Sequence, residues 1–196
     1  MEIEIKKLAP EHAEAYAKFF DDTPHDVNAD EQKCYCVLWR SSETYTESDS
    51  HWFPTREERR ARAIRYITDG KIKGYLAYSG GEIIGWCNAT ADCGCGVEYL
   101  SAHWPIGERD PGIKIKSIFC FVVAPQHKRK GVAKKLTDCV CADAAIEGFD
   151  YVEAYAYTKY DPASLEFGGP FEMYKKCGFY VHAEKDGKAV MRKKTA

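Results

Sequence analysis

The chain is 196 residues long, enough for one well-packed domain and too short for two comfortable ones. Apolar residues make up 45% and charged residues 30%, a globular balance, and a net charge of −2 excludes bulk attraction to nucleic acid or to an anionic membrane. No run approaches the roughly 18 apolar residues that cross a bilayer. The opening MEIEIKK lacks a signal peptide's apolar core, so a cytoplasmic protein with no membrane partner is expected.

Ile3, Ile5 and Leu8 predict a short opening strand, followed by a helix from about Pro10 to Phe20. Residues 22–53 give no clear period; they hold CYCVLWR at 34–40 and a hydroxyl-rich stretch from Ser41 to Ser50. Thr55 and Glu58 form a T-x-x-E capping box, so a helix should run to about Thr68 and end at Gly70. IKGYLAYS and EIIGWCNATA read as two strands of a hairpin closed through Gly80-Gly81. Residues 92–112, rich in Gly and Pro, read as a long loop, and loops of that length are usually functional or disordered.

IKIKSIFCFVV at 113–123 alternates and then becomes continuously apolar, as a strand entering a covered core does. Pro125 ends it. The helix that follows puts Val132, Leu136 and Val140 on one face and closes at Gly148, and YVEAYAY at 151–157 is a second buried strand. Strand, helix and strand in succession make a βαβ unit with parallel strands. A short helix around Pro170–Cys177 ends at Gly178, and FYVHA pairs with AVMRK across Asp186-Gly187. The order β-α-(α)-β-β-β-α-β-α-β-β describes a mixed α/β (α+β) chain with a partly antiparallel sheet, filling a single domain over residues 1–196.

The segment QHKRKGVAKKL carries the sharpest chemistry. Lys128, Arg129, Lys130, Lys134 and Lys135 crowd the first turns of a predicted helix. Cations there oppose the helix dipole, at roughly 0.3–1 kcal/mol each at exposed sites. Their accumulation points to an anion bound at that end, with Gly131 letting backbone N–H groups approach phosphate oxygens. A solvated basic helix end and a nucleic-acid patch are other readings of the same residues, although no wider basic stripe or stacking motif accompanies them.

VVAPQHKRKGVAKKL resembles the acyl-CoA-binding motif of the GNAT acetyltransferase superfamily, whose pattern is Arg/Gln-x-x-Gly-x-Gly/Ala. Lys128, Gly131 and Ala133 fall on its three positions; Lys128 keeps a donor but loses Arg's fork geometry. Downstream, FEMYKKCGFY resembles the family's Tyr-x-x-x-Gly-Phe helix end at Tyr174, Gly178 and Phe179. The resemblance implies a GNAT-like fold, a central, mostly antiparallel mixed sheet with splayed parallel strands 4 and 5 flanked by helices. It also implies an N-acetyltransferase with acetyl-CoA, or a related acyl-CoA, as cosubstrate. The phosphates would lie on Lys128, Arg129, Lys130, Gly131, Val132 and Ala133. The pantetheine arm would lie on the main chain of Phe121, Val122 and Val123 in the gap between the splayed strands, where an N–H would also meet the oxyanion.

Acetyl transfer needs a neutral amine, a stabilised oxyanion and a proton for the departing thiolate. The second motif makes Tyr174 the candidate general acid. Its phenol, with an ordinary pKa of about 10, is protonated at neutral pH, and a thiolate whose thiol titrates near 8.5 accepts the proton. One of 13 tyrosines packed in a core with its hydroxyl satisfied is the structural alternative. The base is open. Histone-acetylating relatives place a glutamate where Ser117 stands here, and Glu98, His103, Asp92 and Glu153 are the other polar candidates. The acceptor expected is a small-molecule primary amine, bound by Trp39, Trp52, Trp86 and the 92–112 loop. A protein or peptide acceptor in an open groove and a non-catalytic acyl-CoA-binding or metal-sensing domain are the rival readings. A homodimer is compatible with the sequence, and no nucleic-acid partner is expected.

Nine cysteines are present, and Cys34/Cys36 and Cys93/Cys95 are C-x-C pairs among them. Four thiolates suit tetrahedral zinc, and a redox disulfide is a further reading, but the spacing is tighter than the commoner C-x₂-C. Reduced cysteines packed as small hydrophobes are the expectation, with no metal.

Overall fold

The period-two segments of the sequence pair into one seven-stranded sheet, seen in a computed structural model. It describes residues 1–24, 33–37, 55–91, 96–107, 110–159 and 167–195, with the backbone alone at 96–99. The strands are β1 (Glu4–Lys7), β2 (Gly74–Ser79), β3 (Glu82–Thr90), β4 (Ile115–Val123), β5 (Tyr151–Tyr157), β6 (Tyr180–Lys185) and β7 (Lys188–Lys194), in the order β1-β2-β3-β4-β5-β7-β6. β4 and β5 run parallel and every other neighbouring pair is antiparallel. The helices are α1 (Ala13–Asp22), α2 (Arg56–Thr68), α3 (Gly96–His103), α4 (Val132–Ile146) and α5 (Phe171–Lys176). The mixed α/β architecture is the one the sequence implied.

Local chemistry explains where the elements begin. Pro10 opens a single 3-10 turn that leads into α1. α2 starts on its capping box: Thr55 Oγ1 accepts the Glu58 N–H at 3.1 Å, and the Glu58 carboxylate accepts the Thr55 N–H at 3.4 Å. A charged latch then holds α1 to α2, with Asp21 accepting from Arg60 Nε at 2.8 Å and from the Tyr35 hydroxyl at 2.6 Å.

Two apolar layers cover the sheet. On one face α1 and α2 bring Tyr16, Phe20, Ala63 and Ile67 against Leu76, Trp86, Phe119 and Tyr155. On the other, α4 brings Val132, Leu136, Val140 and Ala144 against Cys87, Ile118, Ala154 and Tyr174. Each large side chain buried this way contributes about 1.5–3 kcal/mol.

The stretch 92–112 is not one long loop, because α3 lies within it. Leu100 and Trp104, four residues apart, are both buried against the α1–α2 layer, which is the spacing of one helix face. Gly94, Gly96 and Pro105 around so short a helix disguise its period.

Candidate active site

β4 and β5 pair only from Ile115–Tyr151 to Ile118–Ala154. On the other side of β4 the register runs Cys120 to Asn88 and then Ile118 to Ala89, so Phe119 has no partner on β3. A bulge of this kind bends its strand and steepens the twist. Beyond it, Phe119–Val123 and Tyr155–Tyr157 carry no ladder between them, which leaves a slot through the sheet at the C-terminal ends of the two parallel strands. Phe121, Val122 and Val123 lie on β4 past the end of that ladder, each half-buried.

The short β4–α4 connection carries the basic segment to the same end of the sheet. Lys128, Arg129 and Lys130 stand in the turn before the helix, not in its first turns, and only Lys134 and Lys135 lie on α4. Lys134 pairs with Asp138 at 2.6 Å, so its charge is partly spent along the helix. Gly131 is the N-cap at φ 84°, a left-handed conformation glycine takes without steric cost, and nothing lies within 4 Å of where a Cβ would stand. No side chain caps the first N–H groups of α4 and no acidic residue occupies its first turn. Donors left in that state suit an anion.

Tyr174 on α5 is fully buried, its ring against Phe179 at 5.1 Å and Phe121 at 6.4 Å between centroids. Its hydroxyl donates to the Gly168 carbonyl at 2.6 Å. Burial pushes the phenol well above its ordinary value, with the nearby Cys87 and Cys177 thiols adding to the effect, so it stays protonated throughout the physiological range. The slot therefore brings together Phe121 and Tyr174, two residues 53 positions apart in the chain.

On the opposite face lies a different arrangement. Ser117 Oγ is 2.9 Å from the Tyr155 hydroxyl, which donates to Glu153 Oε1 at 2.7 Å. The other Glu153 oxygen accepts Arg192 Nε at 3.0 Å and Nη2 at 2.6 Å. Glu153 is fully buried, its carboxylate shared between the Tyr155 hydroxyl and the Arg192 guanidinium. His103 ends α3 half-buried with its ring 6.4 Å from Trp104; Asp92 and the Glu98 side chain lie outside the described residues.

Trp86, expected beside the acceptor, lies in the core instead. It is fully buried, its indole N–H donates to Cys36 Sγ at 3.2 Å, and its ring meets Tyr16 edge-on at 4.9 Å. Trp39 and Trp52 lie outside the described residues. Among the described residues, Trp104 stands beside the slot, packed with Tyr155 at 6.3 Å, Tyr157 at 5.6 Å and Phe167 at 6.2 Å. Its four-residue spacing from Leu100 was the available signal. Cys34 and Cys36 are buried, and burial raises the Cys36 thiol well above its ordinary value, so it packs as a neutral hydrophobe. Cys93 and Cys95 lie outside the described residues; among those described, no group of three or more His, Cys, Asp or Glu is placed to hold a metal ion.

A mixed sheet opened between its two parallel strands, with an uncapped helix start at the mouth of the opening, is the framework of an acyl-CoA-dependent acyltransferase. The sequence profile of the Acetyltransferase (GNAT) family matches residues 34–179, and the chain belongs to that family: it is an N-acetyltransferase that uses acetyl-CoA. Solved structures of the same fold include the PaiA N-acetyltransferase from Thermoplasma acidophilum in complex with coenzyme A. It is 16% identical, with 99% of each chain covered and a TM-score of 0.55. YncA, a putative acetyltransferase from Salmonella typhimurium with its cofactor acetyl-CoA, is 14% identical over 99% of this chain and 94% of its own, at a TM-score of 0.54. A GNAT-family acetyltransferase from Streptococcus pneumoniae is 17% identical over the whole of both chains, again at 0.54. No curated protein matches the sequence. Among the described residues, no helix is long and apolar enough to cross a membrane.

Proposed function

We propose that the protein, acting as one domain over residues 1–196, acetylates a primary amine of a small molecule by direct attack on acetyl-CoA, with Tyr174 as general acid. The observation that carries this reading is a convergence at one slot: the Phe121 main-chain N–H on the β5 side of β4, the Tyr174 phenol, and the uncapped start of α4.

The cofactor's pyrophosphate takes the N–H groups of Gly131, Val132 and Ala133, with Lys128, Arg129 and Lys130 supplying positive charge. The pantetheine arm follows the main chain of Phe121, Val122 and Val123. The amine lone pair forms the C–N bond, and the Phe121 N–H meets the oxyanion, a type of contact worth about 2.7–4 kcal/mol. As the C–S bond breaks, the thiolate takes the phenolic proton of Tyr174. The proton shed by the new amide nitrogen goes to water, and solvent reprotonates Tyr174.

Ser117 stands where some relatives carry a carboxylate, and Glu153 is held by Arg192. The acceptor that fits such a site is an amine of low basicity, already neutral when it arrives. The aromatic group of Trp104, Tyr157 and Phe167 beside the slot favours a compact, partly apolar acceptor.

The test follows thiol release from acetyl-CoA over a panel of small primary amines and peptide N-termini. Steady turnover with a weakly basic small amine supports the reading. Turnover with peptides alone would move the acceptor to a protein, and tight acetyl-CoA binding with no turnover on any amine would leave a non-catalytic binding domain.

A further inference from the structure

The slot holds a piece of the chain itself. Phe167, Gly168 and Gly169, immediately before α5, run between β4 and β5 where those strands have no ladder. On one wall the Phe167 carbonyl accepts the Phe121 N–H at 2.7 Å, and the Gly168 carbonyl accepts the Tyr174 hydroxyl at 2.6 Å. Against the other wall, a Cβ on Gly168 would collide with the Tyr155 carbonyl oxygen. A Cβ on Gly169, at φ 87°, would lie 3.0 Å from both the Phe121 ring and the Tyr174 hydroxyl. Two glycines are therefore what lets a main chain fit in the slot at all.

We propose that Phe167–Gly169 is an autoinhibitory strap. Resting on the reading of Phe121–Val123 as the pantetheine site, it occupies the two donors that acetyl transfer requires. The Phe121 N–H, assigned to the oxyanion, is satisfied by Phe167, and the Tyr174 proton, assigned to the thiolate, points at Gly168. Pantetheine and strap compete for one space, so acyl-CoA binds only the strap-open form and its apparent affinity is lowered by the open fraction. Exchange is cheap in hydrogen bonds, because the incoming arm carries amide groups of the same kind as the peptide it displaces. Until acyl-CoA arrives, the strap keeps the Tyr174 phenol and the Phe121 N–H away from water.

Gly168→Ala tests this, since its methyl group cannot coexist with the Tyr155 carbonyl in the closed form. The variant and the wild type are titrated calorimetrically with CoA and with 3′-phospho-ADP, which carries the phosphates but no pantetheine. CoA should bind the variant about fivefold or more tightly, while 3′-phospho-ADP should bind both within about twofold. Unchanged or weaker CoA binding by a folded variant would overturn the strap. Failure of both ligands to bind either protein would remove the cofactor site, and the strap with it. If Gly168→Ala does not fold, the wild type decides. Its Phe121 amide should be protected from solvent exchange in the free protein, and should shift on adding CoA but not 3′-phospho-ADP. A freely exchanging Phe121 amide in the free protein would overturn the proposal.

Discussion

The two halves of the β4–β5 pair use opposite strategies. From Ile115 to Ile118 the strands are laddered, and there Ser117, Glu153 and Arg192 are joined through the side-chain hydroxyl of Tyr155, the first β5 residue past the ladder. From Phe119 onward there is no ladder, and main chain provides the contacts: Phe121 N–H to Phe167 carbonyl, and Tyr174 hydroxyl to Gly168 carbonyl. Two fully buried tyrosines mark the contrast. Tyr155 donates to a carboxylate that is itself pinned by Arg192, and moving that proton would disturb a buried charge pair. Tyr174 donates to a neutral carbonyl on a segment that two glycines thread through the slot. One half is held by a charged side-chain network and the other by main-chain carbonyls, so on the proposed mechanism the proton for the leaving group comes from Tyr174.

The sharpest way to break this contrast is Tyr174→Phe. Turnover should fall by about 10²–10⁴. Acetyl-CoA affinity should stay within a few-fold, on the tighter side, because the variant loses a strap contact and no cofactor contact. A folded variant that keeps its rate and loses about 0.5–1.5 kcal/mol of stability would make Tyr174 a core residue like Tyr155.

The laddered half is tested by Arg192→Leu, which leaves the Glu153 carboxylate buried without its counter-ion. Chemical denaturation should register a loss of about 3–5 kcal/mol, and Glu153→Leu added to it should recover much of that loss. A loss below about 1 kcal/mol would mean the pair is solvated and the half less sealed than its geometry indicates. For the unladdered half, Gly131→Asp sets a negative charge at the helix start. CoA affinity should drop about tenfold or more, as 1.4 kcal/mol already gives that factor. Unchanged affinity on titration of a folded variant would move the phosphates elsewhere.

What could be read in advance was local. The Thr55–Glu58 box, the period-two strands, the Gly131 turn and the Tyr174 helix each advertise themselves within a few residues. The charge pair of the laddered half does not. Glu153 interrupts the apolar YVEAYAY and Arg192 the apolar AVMRK, but only the β5–β7 register makes them direct cross-strand partners. The bulge at Phe119 likewise depends on how β3 and β4 align, and no residue type in IKSIFCFVV signals it. Trp86 and Trp104 were legible as aromatics, yet which one packs the core near Tyr16 and which stands beside the slot follows from tertiary packing. The strap was hidden for the same reason: nothing in Gly168-Gly169 marks a segment that threads a slot until the slot around it is known.

The smallest effect concerns pH, and it sharpens the comparison because three acid-sensitive carboxyls among the described residues lie away from the slot. Asp21 joins α1 to α2, while Asp143 and Glu147 join the C-terminal end of α4 to Lys7, at 2.9 and 3.0 Å. Burial alone would raise all three carboxyls. Hydrogen bonds from Tyr35 and Arg60 to Asp21, from Lys7 and Tyr75 to Asp143, and from Lys116 and Lys7 to Glu147 outweigh it. All three are held below their ordinary values of 3.8, 3.8 and 4.5. A carboxyl whose folded value is depressed stabilises the fold fully above its unfolded value and loses that contribution as pH falls through the folded one. Melting temperature should therefore begin to fall below about pH 4.5 and keep falling through the range of the two aspartates. Tyr174 is shifted the other way, upward, so acid leaves it protonated and its contact with Gly168 intact. Glu147→Gln, which keeps the shape and removes the charge, should lower the melting temperature at neutral pH and flatten its acid limb. An acid limb as steep in Glu147→Gln as in the wild type would take Glu147 out of that limb, leaving it to Asp21, Asp143 or other carboxyls.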